Sequence, residues 1–544
     1  MKTQNGIKKI VDSMTVDELC GQVLNLDLAN PDFDASEYEG IFEKMHLGSI
    51  YTATQSPLCK GMSQLEMNRA LTERAGAYAT VPAMVLTDGG VENFEQHITK
   101  MAWGATDDPE LMEEYSKVYA QMLRKTGNHV LLGPVVDINY NFNSVLVNTR
   151  AFSDSPDHVI KMAGAFVRGL TCENRVVACC KHFPGDGMDD RNQHYCTTVN
   201  SKGKQEWFDT YGRVYREMFK NGAQAVMCAH ISLPSWQSDE EIDPITGYLP
   251  CSLSKNLMTD LLKGELGFNG CIISDAMNMV GAVSVCKREE LGVRFIKAGG
   301  DLMLFAKPDD FTSIKNAVKD GVIPIERLKD AAVRVLSLKN SIGLLDEVRS
   351  DDGNITLCCD PQSLIDKAVA KSFRVERNYD GLIPLKLNKG DRILLLNLIS
   401  TSVNNNDAHI ADPLAKELEE RGFKVEQKNI PFVHTELKNI EKNYDCVLVN
   451  CFIDVSHSNA GSLRCGSDHM GPFWDGLGMS HPKFIFTSFG EPYKLYEFPF
   501  LHTYINAFSC GEKTQKYFVK VLLGEAADLG KNPVELRGFF NREV

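Results

Sequence analysis

Short, continuous apolar runs recur along the first 305 residues, and they constrain the fold more than any other feature of the chain. The runs cover residues 83–86, 130–136, 176–180, 225–229 and 271–273, and a last one follows at 301–305. Continuous rather than alternating apolar residues are typical of strands covered on both faces, as in parallel sheets. Because helical patterns lie between these runs, the sequence predicts repeated βα units.

Chargeable side chains stand at the carboxyl ends of these runs. They are Asp88, Asp137, Lys181 with His182, His230 and Asp275. One such residue is explained by a strand that meets water, but five together favour a functional site. In an α/β barrel the active site is built at this end of the strands. The sequence therefore predicts an α/β protein whose N-terminal domain is a TIM-like (β/α) barrel.

The remaining patterns predict a second domain. Residues 15–18 form a capping box before the first apolar helix, and a second helix is predicted near 109–125. A polar, turn-rich stretch follows at 346–353, and buried strands are then predicted at 392–396, 446–449 and 484–486. We predict a barrel over 1–345, a linker over 346–360 and an α/β sandwich with an open sheet over 361–544.

Composition excludes several partners. With Lys+Arg 58 and Asp+Glu 72, the net charge of −14 argues against binding to nucleic acid or to an anionic membrane. No apolar run approaches the roughly 18 residues that a membrane helix needs. No apolar signal core follows Met1, so we expect a cytoplasmic protein. We also expect a monomer or a homodimer.

The 16 cysteines are scattered, and several lie inside apolar runs, where cysteine behaves as a small core residue. Because the chain has neither a C-x-x-C pair nor an H-E-x-x-H motif, no structural zinc or other metal site is expected. We expect most of the thiols to be reduced and structural.

Three segments carry residues suited to carbohydrate chemistry. Lys181 and His182 end an apolar strand before a Pro/Gly loop, and together they can grip vicinal hydroxyls. On that loop His194 can move a proton near neutral pH. Asp275, at the end of an apolar strand, is held rigidly enough to act as a nucleophile. The guanidinium of Arg150 offers a fixed fork of donors to hydroxyls or a carboxylate.

These segments resemble glycoside hydrolase family 3, which contains β-glucosidases and β-N-acetylhexosaminidases, and they are closest to its hexosaminidase branch. The matching pieces are K-H-F-P-G (181–185), S-D-A-M-N-M (274–279), N-T-R-A-F (148–152), A-H-I (229–231) and G-P-V-V-D-I-N (133–139). In the C-terminal part, G-E-P-Y (490–493) and residues 530–536 resemble the family's second domain. The resemblance therefore covers almost the whole chain.

The resemblance implies a retaining hydrolase with Asp275 as the nucleophile and His194 as the acid/base. It implies sugar contacts at Asp88, Arg150, Lys181, His182, His230 and Met277. It implies no cofactor, and its substrate is a carbohydrate, with terminal β-linked N-acetylglucosamine favoured. Asp137, like His230, is equally consistent with a role in the scaffold.

The chain departs from the hexosaminidase pattern at three places. Asn192 stands where that branch has the Asp of its Asp–His dyad, and Asp186 stands where it has a His. A neutral amide stabilises an imidazolium less than a carboxylate does, and Asp189 or Asp190 is an alternative support for His194. Residues 87–90 are closer to the glucosidase branch.

These departures leave other functions open. One is a β-glucosidase-like hydrolase that takes its acid from the second domain. Another is a β-N-acetylglucosaminide phosphorylase, because a neutral histidine repels phosphate less than a carboxylate does. A third is a sugar-binding protein that has lost turnover. His457, Asp468 and His469 lie in a Ser/Gly-rich loop of the second domain, and an inert surface loop is favoured for them.

Overall fold

The computed structural model describes residues 2–28, 35–52, 59, 61–89, 98–174, 176–346, 354–399, 407–429, 439–455, 463–466, 469, 473 and 481–544. The chain divides into two compact units. The first unit comprises Met1–Phe94, Met112–Asp137 and Ala163–Pro361, and the second comprises Glu95–Leu111, Ile138–Met162 and Gln362–Val544. The domain division at 346–360 stays a prediction.

The first unit is built on a seven-stranded parallel sheet. The unit as a whole, including two smaller sheets, contains strands β1 Asn25–Asp27, β2 Ser49–Tyr51, β3 Met84–Thr87, β4 Val130–Leu131, β5 Val177–Phe183, β6 Thr198–Val199, β7 Ala225–Cys228, β8 Ile231–Ser232, β9 Ile242–Asp243, β10 Gly247–Tyr248 and β11 Cys271–Ser274. The seven-stranded sheet runs β1-β2-β3-β4-β5-β7-β11, while β6 pairs with β8 and β9 with β10.

Residues 302 and 303 link the two edges of this sheet. Leu302 pairs with Ile273 in β11, and Met303 pairs with Leu24, next to β1. The predicted parallel barrel is thus confirmed. The apolar run at 301–305, however, contributes single bridges rather than a full strand.

Strands β3 and β11 carry consecutive apolar residues because both of their faces are buried. Met84 and Leu86 of β3 belong to the hydrophobic cluster inside the sheet, while Val85 between them is equally buried on the other face. The same holds for Ile273 and its neighbour Ile272 in β11. This double burial explains why the runs do not alternate.

Helices separate the strands. They are α1 Gln4–Ser13, α2 Val16–Gln22, α3 Ala35–Met45, α4 Gln64–Gly76, α5 Lys100–Thr106, α6 Pro109–Lys125, α7 Pro156–Thr171, α8 Lys204–Trp207, α9 Arg213–Lys220, α10 Val280–Val283, α11 Leu291–Ala298, α12 Pro308–Lys319, α13 Ile325–Ser341, α14 Pro361–Ala370, α15 Asp412–Glu420, α16 Ile440–Asn443, α17 Lys494–Glu497 and α18 Glu512–Leu522. The predicted capping box at Thr15 and Glu18 is confirmed, as is the helix predicted near 109–125. Over the described ranges, no helix combines the length and apolar character needed to cross a membrane.

The second unit carries a six-stranded sheet in the order β12-β17-β16-β15-β13-β14. Its strands are β12 Arg374–Asn378, β13 Arg392–Ile399, β14 Lys424–Asn429, β15 Cys446–Phe452, β16 Phe484–Ser488 and β17 Thr503–Asn506. All neighbouring strands are parallel except the edge strand β12, which is antiparallel to β17. The predicted open α/β sheet is confirmed.

A buried lysine links α13 to the end of α2. Lys339 is fully buried, and its Nζ donates a hydrogen bond of 2.6 Å to Oε1 of Gln22. Burial lowers the pKa of Lys339 to about 7. The unfolded chain, with an ordinary lysine pKa, therefore binds a proton more tightly than the folded protein does.

This difference predicts a stability that rises with pH. Between about pH 7 and pH 10 the free energy of unfolding of the native protein should rise by about 1 kcal/mol per pH unit relative to that of Lys339→Met, which has no titratable group at this position. Below pH 7 the difference between the two proteins should be constant, because the lysine is protonated in both states. Urea unfolding of both proteins at pH 6, 8 and 10 measures this. A difference that does not change with pH would contradict the lowered pKa.

Candidate active site

An ion pair joins the ends of β3 and β5. Nζ of Lys181 donates to Oδ1 of Asp88 at 2.7 Å, and the hydroxyl of Tyr51 donates to Oδ2 of Asp88 at 2.8 Å. The side chain of Asp88 remains 47% exposed, whereas that of Lys181 is 11% exposed. A carboxylate held on two sides and open on the others is suited to accept hydrogen bonds from a ligand's hydroxyls.

Asp275 follows β11 and is 9% exposed. Burial by itself raises the pKa of Asp275, but His182, His230 and Lys181 outweigh burial and hold the pKa below its ordinary value. The backbone N–H of Ala276 also donates to Oδ1 of Asp275 at 2.8 Å. The carboxylate is therefore ionised at neutral pH although it is buried, which is the state that a nucleophile needs.

His182 is oriented by Asp137, which follows β4 and is fully buried. Nδ1 of His182 donates to Oδ2 of Asp137 at 2.6 Å, and the backbone N–H of His182 donates to Oδ1 at 3.1 Å. The backbone N–H of Asp186 donates to the same Oδ1 at 2.8 Å. Because Nδ1 is engaged, Nε2 is the ring nitrogen left to face a ligand.

Side chains from one neighbouring segment fix the turn after β5. The carbonyl of Pro184 accepts from Nε1 of Trp207 at 2.8 Å, and the carbonyl of Asp186 accepts from the hydroxyl of Tyr211 at 2.6 Å. Gly185 has φ +117°, and an added Cβ would lie 2.1 Å from the ring of Tyr211. Only glycine fits at this position, which explains the Pro-Gly pair of the motif.

Asn192 holds His194 by two hydrogen bonds. Oδ1 of Asn192 accepts from Nδ1 of His194 at 2.7 Å and from the backbone N–H of His194 at 2.9 Å. Asp189 accepts instead from Nη2 of Arg191 at 2.6 Å and from the backbone N–H of Val199 at 3.0 Å. The amide therefore occupies the supporting position and fixes the orientation of the imidazole of His194.

The loop that carries His194 packs on the segment after Asp275. The backbone N–H of Val280 donates to the carbonyl of His194 at 3.0 Å, and Oγ1 of Thr197 donates to the carbonyl of Gly281 at 3.1 Å. A Cβ on Gly281 would lie 2.5 Å from the carbonyl oxygen of Gln193. This close approach ties the histidine loop to the strand end that bears the carboxylate.

Protein groups engage both ring nitrogens of His230. Nδ1 lies 2.8 Å from Oγ of Ser252, and Nε2 lies 3.1 Å from the carbonyl oxygen of Ala276, so Nε2 carries the proton. Burial lowers the pKa of His230. This geometry fits a scaffold role next to Asp275.

Met277 is fully buried and donates its N–H to the carbonyl of Leu304 at 3.2 Å. Sugar contacts by His230 and Met277 stay predictions.

The remaining predicted residues belong to the second unit. Arg150 donates from Nη1 to the carbonyl of Leu146 at 3.0 Å. His469 is buried, and its Nε2 lies 2.9 Å from the carbonyl oxygen of Ile399, while His457 and Asp468 lie outside the described residues. In the described part of the chain, no group of three or more His, Cys, Asp or Glu side chains is arranged to hold a metal ion.

Sequence reasoning left out Tyr51 and left the role of Asp137 open. Tyr51 lies in a strand of three residues, too short to stand out as an apolar run. Its sequence signal is only that an aromatic residue ends a short strand. Asp137 carried a signal, its place at a strand end, but the sequence does not show that its partner is His182.

The family model described as "Glycosyl hydrolase family 3 N terminal domain" matches residues 15–338, more than half of the chain. The chain belongs to glycosyl hydrolase family 3. The expected family resemblance is therefore confirmed, and the matched residues of this family 3 enzyme include all the strands of the seven-stranded parallel sheet.

Similar proteins carry several names. A β-N-acetylglucosaminidase/β-glucosidase of Cellulomonas fimi is 29% identical over 97% of this chain and 95% of its own length. A β-hexosaminidase of Nitrosospira multiformis is 29% identical over 45% of this chain and 70% of its own length. The solved structure of the β-glucoside phosphorylase BglX is 26% identical, with a TM-score of 0.84, and covers 98% of this chain and 96% of its own.

The Asn192–His194 contact predicts the effect of restoring a carboxylate. Asn192→Asp keeps the acceptor atom and adds a negative charge, so it should raise the pKa of His194 by about one unit. NMR titration of the imidazole measures this, with Asp190→Ala, an exposed change on the same loop, as the control. Turnover should be unchanged or higher in Asn192→Asp. A large loss of turnover would show that the amide itself is required.

Proposed function

We propose that this family 3 enzyme is a retaining glycosidase that releases terminal β-linked N-acetylglucosamine through a covalent bond to Asp275. The observation that carries the proposal is the buried carboxylate of Asp275, whose pKa is held down beside His182, His230 and Lys181. Burying a charge is costly unless other groups compensate for it. A site that maintains an ionised carboxylate in this position is consistent with nucleophilic catalysis.

In the first step Asp275 attacks the anomeric carbon and forms a glycosyl ester, while Nε2 of His194 gives its proton to the leaving oxygen. In the second step His194 takes a proton from water, and the water opens the ester. Asn192 supports this assignment because it engages Nδ1 and so fixes the orientation of the imidazole ring. Two displacements at one carbon retain its configuration.

The sugar's hydroxyls have partners at the ends of β3 and β5. The exposed carboxylate of Asp88 accepts hydrogen bonds and Lys181 can donate them, while Nε2 of His182 can accept one in the tautomer whose Nδ1 donates to Asp137. The fixed pairs with Tyr51 and Asp137 hold these groups in place, and such preorganisation lowers the cost of binding. Arg150 is assigned a sugar contact from its motif.

N-acetylglucosamine is the proposed sugar because the loop pairs a histidine with the residue two positions earlier, as in the hexosaminidase branch. The name of the Cellulomonas fimi relative includes both a glucosaminide and a glucoside activity. We therefore extend the proposal to a site in which β-glucosides are the competing substrates. In this proposal the 2-acetamido group of the substrate determines the ratio of N-acetylglucosaminide turnover to glucoside turnover.

Turnover of activated aryl β-glycosides tests this proposal. Asp275→Ala should lower turnover of the aryl N-acetylglucosaminide by about a thousandfold or more, because no other group forms the ester. Azide should restore cleavage in that variant and give the α-glycosyl azide, since azide attacks from the face that Asp275 occupied. Full activity of Asp275→Ala would reject the nucleophile, and turnover of the glucoside alone would reject the sugar.

Phosphorolysis is a second candidate, and the amide of Asn192 favours it. Hydrolysis of the ester needs a base strong enough to deprotonate water, whereas inorganic phosphate is already an anionic nucleophile. A histidine supported by an amide is a weaker base than one supported by a carboxylate. Likeness to the β-glucoside phosphorylase over nearly the whole chain supports the same direction.

The product formed in phosphate distinguishes the two reactions. Phosphorolysis predicts that a glycosyl phosphate replaces the free sugar as the phosphate concentration rises, because phosphate and water compete for one ester. Mass spectrometry of the products gives the ratio directly. Free sugar as the only product at every phosphate concentration would contradict phosphorolysis and leave hydrolysis. Asn192→Asp should shift the ratio towards free sugar.

A further inference from the structure

C-terminal residues hold both ends of the Arg150 loop, residues 138–155, within the second unit. Near its start, Nδ2 of Asn139 donates to the hydroxyl of Tyr493 at 2.7 Å. Near its end, Oγ of Ser153 donates to the carbonyl of Pro533 at 2.5 Å. The loop is also closed on itself, since the N–H of Asn139 donates to the carbonyl of Ser153 at 3.1 Å.

Two further anchors come from the C-terminal chain. Asp154 accepts from the backbone N–H of Glu535 at 2.8 Å and from Nη1 of Arg542 at 2.7 Å. Nη2 of Arg464 donates to Oδ1 of Asn143 at 2.9 Å. The conformation of the loop therefore depends on groups that lie more than 300 residues further along the chain.

The anchor nearest to Arg150 is a carboxylate in the turn after β15. The hydroxyl of Thr149 donates to Oδ1 of Asp454, and the same oxygen accepts from the backbone N–H of Val455 at 2.7 Å. Asp454 is the second residue after Phe452, which ends β15. Burial raises the pKa of Asp454 to about 7, so this oxygen accepts both hydrogen bonds from a carboxyl group that is partly protonated at neutral pH.

Arg150 shares a single tight turn with Thr149. The N–H of Arg150 donates to the carbonyl of Val147 at 2.7 Å, and its Nη1 donates to the carbonyl of Leu146 at 3.0 Å. Asn148 has φ +27°, a conformation that asparagine tolerates better than most residues. With these constraints, displacement of Thr149 moves the guanidinium of Arg150.

We propose that Thr149 and Asp454 are positioning residues for Arg150. The proposal rests on the proposed function, in which Arg150 contacts the sugar. Thr149 and Asp454 act through the guanidinium and need no contact with the substrate.

The test is a double-mutant cycle between Thr149 and Arg150, read as the dissociation constant of free N-acetylglucosamine and of glucose by calorimetry. Thr149→Val keeps the side-chain shape and removes the hydroxyl, so binding should weaken about three- to tenfold. In the Arg150→Ala background the same change should have no further effect. Thr149→Ser keeps the hydroxyl and should restore the affinity.

Matched controls separate positioning from general loosening of the fold. Lys516→Ala removes an exposed ion pair with Glu512 in α18, outside the loop, and should leave the dissociation constant unchanged. Asp454→Ala should reproduce the loss seen with Thr149→Val. Thermal unfolding of each full-length variant shows whether a change in binding follows a change in stability.

Three outcomes would overturn the proposal. The first is an unchanged affinity in Thr149→Val. The second is a loss of affinity from Thr149→Val that is as large in the Arg150→Ala background as in the native protein. The third is no loss of affinity in Arg150→Ala itself. Because binding of the free sugar needs no turnover, these outcomes are independent of the Asp275→Ala assay. A protein that binds sugar through this coupling but turns over no glycoside would reject the proposed reaction and keep the positioning role.

Discussion

Burial of the Asp275 carboxylate is the constraint on which the arrangement of the barrel site depends. A carboxylate that loses water is stable as an anion only if nearby charges and donors replace the water. His182, His230 and Lys181 together hold the pKa of the Asp275 carboxyl below its ordinary value, and Lys181 is itself paired with Asp88. Strand ends that are far apart in sequence must therefore meet, and a closed parallel barrel brings them together.

Neighbouring hydrogen-bond donors likewise stabilise a second buried carboxylate, that of Asp137. Asp137 is buried without a cation from lysine or arginine among its described partners, and it is satisfied by the ring and backbone of His182 and by the N–H of Asp186. Three donors on one carboxylate fix both the histidine and the start of the loop that follows. The site is thus preorganised by hydrogen bonds made before any sugar arrives.

The sequence predicts the strands that are long or continuously apolar, and it fails where the signal is short. β5 and β11 were predicted, whereas β1 and β2, with three residues each, were not. The predicted site residues at strand ends meet because parallel strands share one polarity. The partners of these residues, such as Tyr51 for Asp88, depend on register between strands, which no local pattern encodes.

Contacts between distant loops also explain why the role of the C-terminal chain escapes sequence reasoning. The chain passes from the first unit to the second between Asp137 and Ile138. Asp137 holds His182, while Asn139, only two residues later, donates to Tyr493. Residues two positions apart in one short segment therefore make hydrogen bonds in different units, and the motif records only the residues and not their partners. A substitution near Tyr493 can alter the Arg150 loop without changing any residue of the barrel.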